Sequence, residues 1–123
     1  MTSAKLENMT IDQLVERFAE IGIAQDEALL YDEYSKFNRL YDQMDAVDRA
    51  LRSRGPDARL ALLRLYNHPN MQVRLQAAKW TLGIAPDAAR KLLLWISESN
   101  WHPQAGDAGM CLSNLEEGIF KPD

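Results

Sequence analysis

The sequence has one cysteine, Cys111, two histidines and no long apolar run among its 123 residues. A single cysteine excludes an intramolecular disulfide, which favours a reducing compartment and predicts a cytoplasmic protein. No stretch approaches the roughly 18 apolar residues of a membrane span, and the polar start lacks the apolar run of a signal peptide. We therefore expect a soluble chain without a membrane partner.

Composition and charge are those of an ordinary globular chain. Hydrophobic residues make up 46% and charged residues 26% of the sequence, which is enough for one core but not for two. The net charge of −4 is unevenly spread. Residues 1–54 hold 7 Lys/Arg and 11 Asp/Glu, residues 55–91 hold 6 and 2, and residues 92–123 hold 1 and 5. The sequence predicts one domain over 1–123, with acidic, basic and acidic segments in turn.

Two helical patterns predict a long N-terminal hairpin over residues 9–54. Thr10 and Gln13 have the spacing of a capping box at the start of the first helix, and residues 1–8 before it are expected to be frayed. The second helix has an apolar or aromatic residue every three or four positions from 34 to 51. It should end at Gly55-Pro56, with the glycine as a left-handed C-cap.

A repeat follows this hairpin. Pro56-Asp57-Ala58 recurs as Pro86-Asp87-Ala88, and His68-Pro69 recurs as His102-Pro103. The offsets of 30 and 34 residues differ by about one turn, so the first helix of the second pair should be one turn longer. We predict two stacked helix pairs, 56–84 and 86–118, capped by the hairpin, with about six helices in all. Four small residues predict close helix approach: Ala77, Ala78, Ala108 and Gly109.

The run from His68 to Gly83 resembles the second helix of a HEAT or armadillo-like repeat, with its Val-Arg, Ala-Ala and following Leu. Together with Gln104–Met110 and the ending Glu117–Pro122, it is also similar to the domain-of-unknown-function family numbered twenty-nineteen. This resemblance implies an all-α, HEAT- or armadillo-like α-α superhelix from a bacterial cytoplasm. It implies no activity.

The two His-Pro turns raise the possibility of a metal site, because His68 and His102 follow equivalent helices and Asp107 or Cys111 could join them. Against this, the sequence has no His-x-x-x-His or Cys-x-x-Cys spacing, and zinc needs three or four convergent ligands. A histidine before proline at a turn more often caps a helix or faces water. We predict no metal, and keep a metal- or small-ligand-binding protein using His68 and His102 as an alternative.

Catalytic arrangements are incomplete in this sequence. Asp42, Asp45 and Asp48 recur every three residues on one helix, but beside Arg49 and Arg52 they are typical of a solvated face. Cys111 lies mid-helix as a core thiol, and neither a nucleophile elbow nor a phosphate-binding loop is present. We therefore predict no catalytic residues, no cofactor and no enzymatic activity.

The basic middle segment makes nucleic-acid binding a further alternative. A pI near 5.1 and acidic segments on either side argue against it. Arg74 is expected to pair internally with a neighbouring acidic or polar turn group, as the equivalent arginine tends to do in HEAT-like repeats. The cations concerned are Arg59, Arg64, Arg74, Lys79, Arg90 and Lys91.

All three tryptophans lie in the repeat half. Trp95 aligns with Leu65 and is predicted to be core. Trp80 and Trp101 can each anchor a partner, although a packed indole with a satisfied N–H is the favoured interpretation.

We predict a non-enzymatic protein–protein interaction module that presents its second helices and His-Pro turns to a protein partner. An immunity- or antitoxin-like role is open, and so is a homodimer through Tyr31, Tyr34 and Tyr41. The candidate surface consists of His68, Arg74, Lys79, Trp80, Trp101, His102 and Asp107.

Overall fold

The computed structural model describes residues 3–123, and within that range every regular element is helical. The chain divides into two compact units, Met1–Leu62 and Leu63–Asp123. The all-α class is confirmed, with seven α-helices and one 3-10 helix in the described residues instead of six helices. They are α1 Ser3–Glu7, α2 Ile11–Leu30, α3 Tyr34–Arg52, α4 Pro56–Leu60, the 3-10 helix Ala61–Asn67, α5 Met71–Trp80, α6 Pro86–Ser97 and α7 Gln104–Glu116.

The beginning of the first unit is more ordered than the sequence indicates. Residues 3–7 form α1, so the expected fraying is wrong for them, and Met1 and Thr2 lie outside the described residues. The physical reason is an apolar anchor and a cap. Leu6 is buried, and Arg54 Nη2 donates to the main-chain oxygens of Leu6 and Glu7, at 3.1 Å each. A guanidinium there satisfies carbonyls that a helix end leaves without intrahelical partners.

Helices α2 and α3 form the hairpin of the first unit. The predicted capping box is confirmed: Thr10 Oγ1 accepts from the Gln13 amide at 3.1 Å, and Gln13 Oε1 accepts from the Thr10 amide at 2.9 Å. α2 continues to Leu30, and α3 packs along it. Each fully buried large side chain stabilises this packing by about 1.5–3 kcal/mol. The largest are Leu14, Phe18, Ile21, Met44 and Leu51.

The end of α3 differs from the prediction by a few residues. α3 ends at Arg52 with Ser53 as its C-cap, and Gly55 is the N-cap of α4. Gly55 does adopt a positive φ of 96°, which glycine tolerates without a steric penalty. No helix of the described residues is long and apolar enough to cross a bilayer.

The predicted extra turn in the second repeat is wrong. Pro56–Leu60 and Ala61–Asn67 together span as many residues as Pro86–Ser97. The additional residues lie instead in the connection to the next helix, which runs from 68 to 70 in one repeat and from 98 to 103 in the other. Half of the first repeat's helix is also wound as a 3-10 helix, with three residues per turn instead of 3.6.

In the second unit, α6 packs against α5 and α7 around a continuous apolar cluster. Ala77, Ala78 and Ala108 are buried, as their small size led us to expect. Gly109 does not need to be small, because a Cβ added there would meet nothing within 4 Å. The cluster consists of Leu75, Ala78, Leu82, Ala89, Leu93, Ile96, Ala108 and Cys111.

Candidate protein-interaction surface

The turn before α5 organises the first candidate residues. Asn70 caps α5 by accepting from the Val73 amide at 3.2 Å, and His68 Nδ1 accepts from the Asn70 amide at 3.0 Å. The half-buried His68 is thus a helix-capping residue, which matches the bland interpretation of a histidine before proline. Its imidazole is oriented by the turn that it supports.

Arg74 connects this turn to α6. Its Nε donates to the main-chain oxygen of His68, so the predicted internal pairing of this arginine with a turn group is confirmed. The guanidinium carbon also lies 5.5 Å from the centroid of the Trp95 ring. A cation over an indole face contributes about 0.5–1 kcal/mol at an exposed site. Two contacts, one with the His68 main chain and one with the Trp95 ring, therefore hold the Arg74 guanidinium.

The prediction that Trp95 belongs to the core is wrong, because its side chain is 52% exposed. The repeat alignment paired it with Leu65, which is buried. Leu65 lies in a 3-10 helix and Trp95 in an α-helix, and the two wind by different angles per residue. Equal sequence offsets therefore do not place both side chains on the same side. On α6 the buried stripe is Ala89, Leu93 and Ile96.

Around Trp95 lies a surface that we call the Trp95 face, made of Arg74, Arg90, Lys91, Leu94 and Trp95. Positions 90 and 94, and positions 91 and 95, are one turn apart on α6, so their side chains neighbour one another. All four α6 residues are exposed. The side chains of Arg90 and Lys91 form no hydrogen bond or ion pair with any residue between 3 and 123. Two unpaired cations thus flank an exposed apolar pair.

The rest of α5 is less available than predicted. Six of its ten residues are buried, so the second helix of this pair offers little surface. Lys79 Nζ pairs with Asp107 Oδ1 at 3.2 Å, and both are partly exposed. Trp80 is half-buried and its Nε1 donates to Gln76 Oε1 at 3.2 Å. This satisfied indole matches the favoured interpretation of Trp80 as a packed residue.

At the other His-Pro turn, Trp101 is 61% exposed and His102 is also exposed. The interpretation of Trp101 as a packed indole is therefore wrong, and it joins Trp95 as a surface tryptophan. Asp107, the third member of the proposed metal set, is engaged by Lys79. Within residues 3–123, no group of three or more His, Cys, Asp and Glu side chains could hold a metal ion.

One buried polar contact was missed by the sequence reasoning. Gln104 Nε2 donates to Gln72 Oε1 at 3.0 Å, which joins the first turns of α7 and α5 inside the second unit. Glutamine carries no positional signal for such pairing, so only the folded chain reveals it.

Cys111 is a core thiol as predicted, and burial raises its pKa. A thiol with a raised pKa is a poor nucleophile at neutral pH.

The acidic stripe of α3 is only partly the solvated face that we predicted. Asp45 pairs with Arg49 at 2.9 Å and is partly exposed, but Asp48 is 2% exposed and bonds to Arg52 Nε at 2.6 Å. Burial raises the pKa of the Asp48 carboxyl, although Arg52 and Arg59 act in the opposite direction. An open groove of about 510 Å³ adjoins this stripe. It is lined by Leu6, Glu7, Asp42, Asp45, Ala46, Arg49, Ala50 and Ser53.

These observations define an all-α protein whose second unit exposes two tryptophans and whose only cysteine is a buried thiol. A model of the family described as "Domain of unknown function (DUF2019)" matches residues 12–116, and the chain belongs to this family. The family resemblance is thus confirmed.

A solved relative has the same fold. The crystal structure of the protein RPA1889 from Rhodopseudomonas palustris CGA009 is 52% identical in sequence, with a TM-score of 0.91. The match covers 96% of this chain and 98% of that one. No curated protein matches the sequence.

Proposed function

We propose that this chain is a non-enzymatic protein-interaction module that contacts its partner through the Trp95 face. The observation that carries the proposal is an exposed tryptophan on a regular helix, with an arginine fixed over its ring. An indole left in water forfeits most of the hydrophobic free energy that its burial would provide. A partner that covers Trp95 recovers it.

The chemistry of the face suits a protein partner. Tryptophan and arginine are the residue types most enriched among those that dominate binding energy at interfaces. Arg74 is already held by the His68 main chain, so less side-chain entropy is lost when a partner binds. Arg90 and Lys91 extend the face with cations that can pair with carboxylates. The face therefore combines an apolar anchor with unsatisfied positive charge.

The alternatives from the sequence have less support. A metal site at His68, His102 and Asp107 would have to disrupt the capping bond of His68 and the ion pair of Asp107. Nucleic-acid binding would use cations of which Arg59 is buried and Lys79 already paired with an aspartate. Phosphate contacts need free, clustered cations.

The finer architecture and setting belong to the same proposal. We take the helix pairs to be HEAT-like, because such stacks expose helix faces suited to binding proteins. A bacterial cytoplasm is the setting implied by the single buried cysteine and by the family resemblance, and an immunity- or antitoxin-like role is one form that such a module can take.

The test is affinity capture with tagged wild-type protein and a Trp95→Ala variant, from extract of the native host. Met110→Ala is the matched control, since Met110 is an exposed apolar residue of the same unit, at 65% against 52% for Trp95, that lies outside the Trp95 face. We expect a protein recovered by wild type and control, and reduced at least tenfold with Trp95→Ala. Failure to recover any specific protein, or equal recovery by all three, would contradict the proposed function.

A further inference from the structure

Among the described residues of the first unit, the most exposed large apolar side chains lie at the turn between α2 and α3. Leu30 is 74% exposed, and Tyr31 and Tyr34 are nearly as exposed. Asp32 and Glu33 lie between them and are exposed too. We call residues 30–34 the acidic turn. It offers three large apolar or aromatic groups and two carboxylates to solvent.

The acidic turn has a defined shape. Asp32 adopts a left-handed φ of 55°, which aspartate accepts more readily than most residues. The Glu33 amide donates to the Ala28 main-chain oxygen at 2.8 Å, and the Tyr34 hydroxyl donates to Asp32 Oδ1 at 3.1 Å. This hydrogen bond and the charge of Asp32 raise the pKa of Tyr34. The two hydrogen bonds organise the turn before any partner binds.

The acidic turn and the Trp95 face are complementary in charge and alike in apolar character. One carries Asp32 and Glu33 beside exposed aromatic rings, and the other carries Arg90 and Lys91 beside Leu94 and Trp95. Opposite charges steer and align an encounter, and the buried apolar groups supply most of the binding energy. The chain therefore contains a turn whose charge and apolar groups are complementary to the Trp95 face.

We propose that the acidic turn of one copy docks on the Trp95 face of a second copy, so that the chain self-associates. This inference rests on the proposed function, because it names the partner of the same face. Two exposed acids stand at the ends of α6, Asp87 in its first turn and Glu98 as its C-cap. The docked carboxylates therefore contact the central cations, Arg90 and Lys91.

The proposed contact joins two different patches, so its geometry determines whether a closed dimer or a longer assembly forms. Each copy carries both an acidic turn and a Trp95 face, so two copies can exchange turns reciprocally and close a dimer. If they do not close, each contact leaves one turn and one face free, and longer assemblies grow. In either case a copy that lacks one patch can still bind through the other.

This property allows a complementation experiment. The masses of wild-type protein, Trp95→Ala and Tyr31→Ala are measured by size-exclusion chromatography with light scattering, over an about hundredfold concentration range, because association follows mass action. We expect wild type to associate, and each single variant to require at least tenfold higher concentration. An equal mixture of the two variants should form dimers, since one retains the turn and the other the face. Met110→Ala should behave as wild type.

A charge-reversal pair provides a second measurement that needs no truncation of an aromatic residue. Lys91→Glu and Glu33→Lys should each weaken association, and their mixture should restore it, because the reversed turn then meets the reversed face. Circular dichroism checks that every variant is folded, which is expected because all five substituted positions are exposed.

Three results would overturn the inference: wild type that is monomeric at every concentration, association that Trp95→Ala leaves unchanged, or variant mixtures that stay monomeric. The proposed function fails separately. A monomeric wild type that still captures another protein through Trp95 contradicts self-association alone. Self-association without Trp95-dependent capture of any other protein leaves the inference standing and restricts the module to binding itself.

Discussion

A few single residues build the candidate surface of the second unit. Arg74 and Trp95 are 21 positions apart in sequence, yet the guanidinium lies over the indole. Neither residue type predicts that contact, because a tryptophan in an amphipathic helix is more often buried than exposed. The His68 main chain fixes Arg74, and Arg74 in turn covers one side of the Trp95 ring. The candidate surface thus depends on a small chain of local contacts.

Asp48 provides a prediction at the same scale. Burial raises its pKa, so the folded protein binds a proton there more tightly than the unfolded chain does. The ionised group therefore costs stability above its folded pKa, and this cost disappears as pH falls towards the unfolded value. We expect Asp48→Asn to be most favourable relative to wild type at neutral pH, with the advantage shrinking at acidic pH.

Urea unfolding of both proteins at a series of pH values between 4 and 7 measures this difference in unfolding free energy. Asp45→Asn is the matched control, because it removes a partly exposed carboxylate from the same helix. A difference for Asp48→Asn that does not change with pH would show that its burial has no effect on proton binding.

The helix cap at Thr10 forms where the local sequence predicts it. The winding of the helix that begins the first repeat does not follow from the local sequence. The capping box at Thr10 forms as the spacing predicts, because its hydrogen bonds join residues three apart. The 3-10 winding of Ala61–Asn67 has no such local signal in Leu- and Ala-rich sequence, which ordinarily favours an α-helix. Because of this winding, Leu65 and its aligned residue Trp95 face different directions, and the alignment predicted the wrong burial for Trp95.

Alanine substitution at two glycines of the second unit should change the free energy of unfolding in opposite directions. Gly109 lies inside α7 with open space at its Cβ position, so Gly109→Ala should raise the unfolding free energy by about 0.5–1 kcal/mol. Gly83 follows α5, and a Cβ there would overlap the main chain of Asp123. Gly83→Ala should lower the unfolding free energy by about 1 kcal/mol or more, since the tail must shift.

Thermal or urea unfolding of the two alanine variants measures both effects, and each serves as the control for the other. Stabilisation by Gly83→Ala would mean that the C-terminal segment does not pack on the turn after α5. Destabilisation by Gly109→Ala would mean that α7 is approached more closely than the structure shows.

At the scale of the whole molecule, charge is segregated between the two units. Met1–Leu62 contains 8 Lys/Arg and 12 Asp/Glu, whereas Leu63–Asp123 contains 6 of each. Copies with a net charge of −4 repel one another weakly at neutral pH, and this repulsion vanishes near the pI of about 5.1. The docking that we propose, of the acidic turn on the Trp95 face, has to overcome this repulsion at neutral pH.

We therefore expect non-specific association near the pI and association through the Trp95 face at neutral pH, so that a pH series distinguishes the two. Light scattering between pH 4 and 8 should show non-specific association strongest near pH 5.1 for both wild type and Trp95→Ala. At neutral pH wild type should associate at concentrations at least tenfold lower than Trp95→Ala. Equal scattering by the two proteins at neutral pH would mean that association there does not use the Trp95 face.

The sequence by itself determined the helical class, the hairpin, the capping box and the buried thiol, because periodicity and capping act over three or four residues. It also identified the cations and tryptophans from which the candidate surface is built. It could not determine which of these side chains face water. That depends on how each helix is wound and which stripe the neighbouring helices cover.

Only the tertiary structure decided that Trp95 is exposed, that Arg74 lies over it and that Asp48 is buried. It also decided that Asp107 pairs with Lys79, and that Gln72 meets Gln104. These are contacts between residues distant in sequence, or consequences of helix rotation. A few tens of degrees of rotation exchange core and surface without changing any local pattern.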